Sequence, residues 1–227
     1  MFYDETKTIS ACDDDPTLVF EAIKLELKEL VDKILSRKTF DYNVIDENGN
    51  DVMMRLLKKG YYDVVLNHMN DKRWNVNHQN NNGDTFAHIL VSMDYSKVVE
   101  IIKTLLKNKE FIPNIRNNEG ETILDKSINS CSIYTTTKIL KDKRFDSVGV
   151  FSFKKLYDTY IKSNIYGKYT KLTNLEMIVD NLDGREIAPQ VKEIIEKIKS
   201  NFVTIKEEVI NNKTDSMDLI INAALAN

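Results

Sequence analysis

The side chains of this chain that could do chemistry are few, and their spacing argues against each familiar use. His68, His78 and His88 lie ten residues apart. No two of them share the i, i+3 or i+4 spacing that would set paired imidazoles on one helical face, so a metal site is not expected. Cys131 stands between Ser130 and Ser132 with no Lys, Arg or His beside it, and Cys12 is followed by Asp13, Asp14 and Asp15, whose charge disfavours a thiolate. Neither cysteine is placed as an activated nucleophile. The acidic run reads as a solvated helix start, not a cation site. Neither a Gly-x-Gly-x-x-Gly loop nor a phosphate-binding Gly-Lys-Ser/Thr loop is present. No catalytic residue, metal ligand or cofactor is assigned. His88 is better explained as an internal hydrogen-bonding group, and Trp74, the one tryptophan, as packing between units.

Composition bounds what could position these residues. The 227 residues are 42% hydrophobic and 30% charged, which is enough apolar material for a sizeable core. Their net charge of -3 leaves no basic field to hold a phosphate backbone, so no nucleic-acid partner is expected. Only 7 Gly and 3 Pro occur, which favours helix. Two cysteines are too few for a disulfide framework, which points to a reducing compartment. No run approaches the roughly 18 apolar residues of a spanning helix, and the first residues have no basic and apolar leader, so no membrane association is expected. The expected location is cytoplasmic, including a host cell's cytoplasm for a viral or pathogen protein.

A repeat runs through the first two thirds. Asp46-Glu-Asn-Gly49-Asn-Asp51 aligns with Asn80-Asn-Asn-Gly83-Asp-Thr85 and with Asn117-Asn-Glu-Gly120-Glu-Thr122, the glycines lying 34 and 37 residues apart. A polar Asn43, Asn77 or Asn114 stands three residues upstream of each. Apolar runs follow, and each unit reads as one turn and two helices. Glycine takes a positive φ at the turn without steric cost, the Asp or Asn three residues earlier can bond the turn backbone, and Thr85 or Thr122 sits where an N-cap is wanted. Neither helix of a unit could bury its apolar face without a neighbour.

This pattern resembles the ankyrin repeat. Thr85 and His88 stand where that family has its Thr and His, with Phe86 in place of the Pro, and Gly60-Tyr-Tyr-Asp63 resembles the family's link between helices. Asp51 and Met54 replace the Thr and His in the unit before, and Asp125 replaces the His in the unit after. The resemblance implies an all-α solenoid of ankyrin-type helix–turn–helix repeats with a C-terminal helical cap or extension. Upstream, Thr17 stands 34 residues before Asp51, with Leu25, Leu27, Leu30, Val31, Ile34 and Leu35 behind it and a charged face from Lys24 to Lys33. That is the expected N-terminal capping unit. The expected organisation is a tail over 1–15, four units over 16–145, a degenerate fifth over 146–185, and a helical extension over 186–227.

The family binds proteins through turn tips and the exposed face of the first helices, mostly without catalysis. Carried onto this chain, the partner-binding positions are Glu47, Asn48, Asn50, Arg55 and Lys58 in one unit. They are Asn81, Asn82, Asp84 and Met93 in the next, and Asn118, Glu119, Glu121 and Lys126 in the third. Lys59, Ile89, Ser92 and Asn129 fall on the same expected face. The expected function is a non-enzymatic module that binds a protein partner. Two alternatives stay open: a structural protein that forms a homodimer through an apolar stripe at residues 189–210, and the targeting arm of an effector. In the tail, Val191, Ile194, Ile195 and Ile198 recur at helical spacing from Pro189 onward, opposite Lys192, Glu193 and Glu196.

Overall fold

The structure, a computed structural model, describes residues 15–93, 98–129, 133–145 and the isolated positions 192, 193, 196 and 200. Cys12, Cys131, the expected fifth unit and most of the expected tail helix lie outside the described residues. Lys192, Glu193, Glu196 and Ser200 are helical and exposed. The chain divides into two compact units, residues 1–126 and 127–227.

In the first unit, helix pairs alternate with tight turns. The pairs are α1 (Leu18–Lys24) with α2 (Lys28–Leu35), α3 (Val52–Lys59) with α4 (Tyr62–His68), and α5 (Phe86–Val91) with α6 (Val98–Lys107). A seventh helix, α7 (Ile123–Asn129), begins the next pair and crosses the division. Helices α1, α3 and α5 stack in one layer, and α2, α4 and α6 in a second. Every residue of α5 is buried, the helix packing against α3 and against its own partner α6 while His88 reaches the Glu121 carbonyl of the next turn.

Each turn is built by its first residue. The Asp46 carboxylate accepts the Asn48 N–H at 2.9 Å and the Asn50 N–H at 2.8 Å. Asn80 Oδ1 does the same for Asn82 and Asp84, each at 3.0 Å. Asn117 Oδ1 accepts Glu119 at 3.1 Å and Glu121 at 2.9 Å. Gly49, Gly83 and Gly120 have φ of +72°, +72° and +78°. At Gly83 a second constraint applies, because an added Cβ would come within 2.7 Å of the Asn118 backbone nitrogen. Isolated antiparallel bridges, Ile45 to Asp51 and Gln79 to Thr85, flank the first two turns; no strand occurs among the described residues.

The caps explain how the units tolerate departures from the repeat. Thr85 N–H donates to His88 Nδ1 at 3.1 Å, and the His88 N–H returns to Thr85 Oγ1 at 3.4 Å, a reciprocal box. In the following unit Asp125 stands in for the histidine. Its Oδ2 accepts the Thr122 N–H at 2.8 Å and hydroxyl at 2.9 Å, and the Asp125 N–H reaches Thr122 Oγ1 at 3.3 Å. Asp51 caps α3 by accepting the Met54 N–H at 2.8 Å and takes a second bond from Trp74 Nε1 at 2.9 Å. Trp74 is buried and meets Phe86 edge-on, with centroids 5.1 Å apart, so it packs between units as expected.

The N-terminal unit differs from the sequence expectation in one segment. The chain leaves α1 at Leu25, which is 58% exposed, and Glu26 takes a left-handed φ of +62°. Leu25 is therefore outside the helix that buries Leu30, Val31, Ile34 and Leu35. Glu26 stands 34 residues before Gly60, which closes α3 at φ +81°. Both have the helix-ending N–H bonds that require this conformation, Leu27 to Ala22 and Tyr61 to Leu56. Thr17 makes no side-chain cap; its N–H and hydroxyl bond Asp15 instead.

In the second unit, helix α8 (Ile133–Leu140) buries Thr135, Thr136, Ile139 and Leu140. The Thr136 hydroxyl donates to Ser127 Oγ at 3.1 Å.

Candidate functional site

The turn tips project side by side, and they are stitched to one another through backbone. The Asn81 N–H donates to the Asn48 carbonyl at 3.1 Å, and the Asn118 N–H to the Asn82 carbonyl at 3.0 Å. The side-chain amides add a second stitch, Asn81 Nδ2 to Glu47 O at 3.3 Å and Asn118 Nδ2 to Asn81 O at 3.0 Å. Behind the tips, His78 Nε2 donates to Gly49 O at 2.7 Å, Gln79 Nε2 to Gly83 O at 2.7 Å, and Arg116 to Gly120 O at 2.6 Å. The tips are thus ordered by groups below and beside them, leaving their outer side chains available.

Of the expected partner-binding residues, Glu47, Asn48, Lys58, Asn81, Asn82, Asn118 and Glu119 are exposed. Arg55, Asp84, Met93 and Lys126 are half-buried. Asn50 and Glu121 are 1% and 3% exposed and do not reach the surface. Asn50 Nδ2 donates to Asp46, and its Oδ1 accepts Lys58 Nζ at 2.8 Å and Asn80 Nδ2 at 2.9 Å. Ile89, also on the expected face, is buried in α5, while Lys59 and Ser92 are exposed. The side chain of Asn129 lies outside the described residues.

Five of the expected residues come together. Asn82, Asp84, Asn118, Glu119 and Lys126 line a cleft of about 260 Å³ between two successive tips, and Asn117 completes it. Asp84 Oδ1 accepts Lys126 Nζ at 2.7 Å and Asn117 Nδ2 at 2.9 Å. Burial works to raise the Asp84 carboxyl, but the hydrogen bonds from Lys126 and Asn117 and the Lys126 charge outweigh it and hold the group below its ordinary value. Asp84 is therefore an ionised carboxylate at neutral pH. Sequence reasoning missed Asn117, although the recurrence of Asp or Asn at the first turn position was the signal that could have found it.

The histidines are all committed to structure. His88 is fully buried; Nε2 donates to the Glu121 carbonyl at 3.0 Å while Nδ1 accepts from Thr85, which sets the neutral tautomer. Burial pushes its imidazole below the ordinary value, more strongly than the Glu121 carbonyl pulls it up. Asp32, His68 and Tyr42 form a chain, with His68 Nε2 2.9 Å from Asp32 Oδ1 and Nδ1 2.9 Å from the Tyr42 hydroxyl. The order resembles a nucleophile relay, but Tyr42 is 0% exposed, its hydroxyl also meets Leu35 O at 3.0 Å, and burial pushes its ionisation up. No substrate atom could reach it. Among the described residues no group of His, Cys, Asp and Glu could hold a metal ion, and no helix is long and apolar enough to cross a membrane.

Comparison with known proteins places this geometry. No family model matches the chain. The ankyrin repeat protein L86 of Acanthamoeba polyphaga mimivirus is 32% identical over 88 residues, 37% of this chain and 15% of that relative. The chain thus spans a small part of the relative's length. Among solved structures, an ankyrin repeat domain of Acinetobacter baumannii AYE, ABAYE2397, superposes with a TM-score of 0.60 at 14% identity, over 85% of this chain and 99% of that one. A chain from the complex of the predatory endopeptidase Bd0816 of Bdellovibrio bacteriovorus with the immunity protein Bd3460 superposes with a TM-score of 0.51 at 15% identity, over 83% of this chain and 96% of that one. At these identities the structural likeness is one of fold.

Proposed function

We propose that this ankyrin-repeat chain is a non-catalytic protein-binding module that engages its partner through the turn tips and the adjoining first-helix face. The observation that carries this reading is the division of labour at the tips. Backbone stitches and buried amides fix the turns, while the side chains of Glu47, Asn82 and Glu119 are exposed, and the Glu47 carboxylate accepts the Asn48 amide of its own tip at 3.1 Å. A rigid scaffold that presents ordered polar groups has little conformational entropy left to lose on binding. The solved neighbour from an endopeptidase and immunity-protein complex supports the reading by showing a chain of like fold in a protein assembly.

The test begins with capture of a partner by the full chain from its native cell. The triple variant Glu47→Ala, Asn82→Ala, Glu119→Ala should then weaken binding while the thermal melt stays nearly unchanged, since such surface changes shift stability by less than about 0.5 kcal/mol. Asn81 and Asn118 are left intact because their amides hold the neighbouring tips. Normal binding by this variant, together with loss of binding on deletion of residues 186–227 from a still-folded protein, would move the site to the tail.

A further inference from the structure

The cleft between the second and third tips carries a specific chemistry. Its charged lining residues are Asp84, Glu119 and Lys126, two carboxylates against one ammonium, which leaves one negative charge. Lys126 is already bound to Asp84 at 2.7 Å, with side chains only 22% and 14% exposed. The surplus charge therefore resides on Glu119, an exposed residue at the mouth. The corresponding position one unit earlier differs: Asn50 replaces Asp84, is neutral, and is bonded by Lys58 of its own unit. The other cation nearby, Arg116, is held at its own turn by the Gly120 carbonyl at 2.6 Å, with Asp125 Oδ2 3.8 Å away.

The uncharged lining groups match that charge. Asn118 is anchored through one of its two Nδ2 hydrogens to the Asn81 carbonyl, and its Oδ1 lies beside Gly83, where an added Cβ would meet it at 2.5 Å. The acceptor-bearing side chains on the exposed lining of the cleft are then the Glu119 carboxylate and the amides of Asn82 and Asn118. A planar, multiply donating cation satisfies such a set better than a compact ammonium does, because its N–H groups diverge in one plane toward separate acceptors.

We propose that this cleft is a subsite for a single arginine side chain of the partner protein, its guanidinium lying between Glu119 and Asn118. The assignment rests on the protein-binding reading above and names the chemistry the partner must bring to this point. Asp84 and Lys126 form the neutral floor, and Glu119 provides the charge that selects a cation.

The probe is N-acetyl-arginine amide, titrated at low salt into the full chain labelled with 15N, with the citrulline and lysine analogues as comparisons. Arginine should produce saturable shifts in the side-chain amide signals of Asn82 and Asn118. Citrulline, which keeps the shape without the charge, should bind at least about fivefold more weakly, the scale of an exposed ion pair. Lysine should also be weaker. Glu119→Gln should weaken arginine binding by a similar factor with an unchanged melt. Silent amide signals, or equal binding of citrulline or lysine, would overturn the assignment. Its failure is distinct from failure of the broader reading. A partner lost by the triple tip variant alongside silent amides removes the arginine subsite and leaves the tip surface standing. Arginine shifts with capture indifferent to the tips support the cleft and count against the surface as the principal interface.

Discussion

His88 and Asp125 show two residue types meeting one local demand at opposite electrostatic cost. Both close a reciprocal box with the threonine three residues earlier. The histidine must stay neutral to do so, because Nδ1 accepts from Thr85 and the ring is fully buried. Its folded-state affinity for a proton is therefore lowered from the ordinary 6.5. The unfolded chain takes up the proton first, so the contribution of His88 is fully present above about pH 6.5 and is lost as pH falls below that value. His88→Gln keeps a box-forming acceptor but cannot titrate. It should cost about 1 kcal/mol at neutral pH through the lost bond to Glu121, and it should flatten the decline in stability between pH 7 and 5. Urea midpoints across that range check this; equal slopes in the two proteins would show that His88 does not stay neutral. The histidine's role was readable from the sequence because it sat in a repeated frame. Asn50 and Glu121 were misassigned to the surface for a reason at this same scale. Asn50 is drawn inward by its bonds to Asp46, Lys58 and Asn80. Glu121 is buried beside the Asn117 oxygen that accepts its N–H and the His88 ring that binds its carbonyl, contacts to other parts of the chain that the turn pattern does not reveal.

At the scale of the element, the helix ends carry the information that periodicity alone did not. An apolar pattern continuing from Val19 through Leu35 is compatible with one helix or with two. The break falls at Leu25 to Leu27 because the second layer needs a helix running back, and Glu26 is forced into the left-handed region that Gly60 occupies without strain one unit later. Nothing in the residue type of Glu26 announces that conformation. Its carboxylate meets Lys59 at 2.7 Å, an exposed contact that salt screens. Glu26→Gly should accordingly raise the melting temperature by a few degrees at moderate salt, since relief of backbone strain exceeds the loss of one surface ion pair. A melting temperature lowered even at high salt, where the pair is screened, would show that the added freedom of the unfolded chain outweighs the strain, and one lowered at low salt alone would show that the pair does. The cleft between tips was only half legible for a similar reason. Its tip residues follow from the repeat, but the pairing of Lys126 with Asp84 joins residues 42 apart, and no one-unit pattern reveals it.

At the scale of the whole first unit, stability is carried from repeat to repeat, and Trp74 is the joint where this can be tested. Its ring packs on Phe86 at the start of α5, while its N–H reaches back to Asp51 at the start of α3. Asp51 is 2% exposed, and burial pushes its carboxyl above the ordinary 3.8 against the bonds from Met54 and Trp74. Trp74→Phe preserves much of the packing and removes the indole donor, leaving a buried carboxylate oxygen without it. The expected cost at neutral pH is about 1–3 kcal/mol. The raised folded-state value means that protonated Asp51 favours the fold, a contribution present below 3.8 and lost as pH rises through the folded value. Removing the donor raises that value further, so the variant's deficit should shrink as pH is taken down toward about 4. Because each repeat rests mainly on its neighbours, amide exchange should quicken most in α3 through α6 and least in the helices farther away. A uniform loss of protection would show that the repeats open as one body, and a pH-independent deficit would show that the indole acts through packing alone.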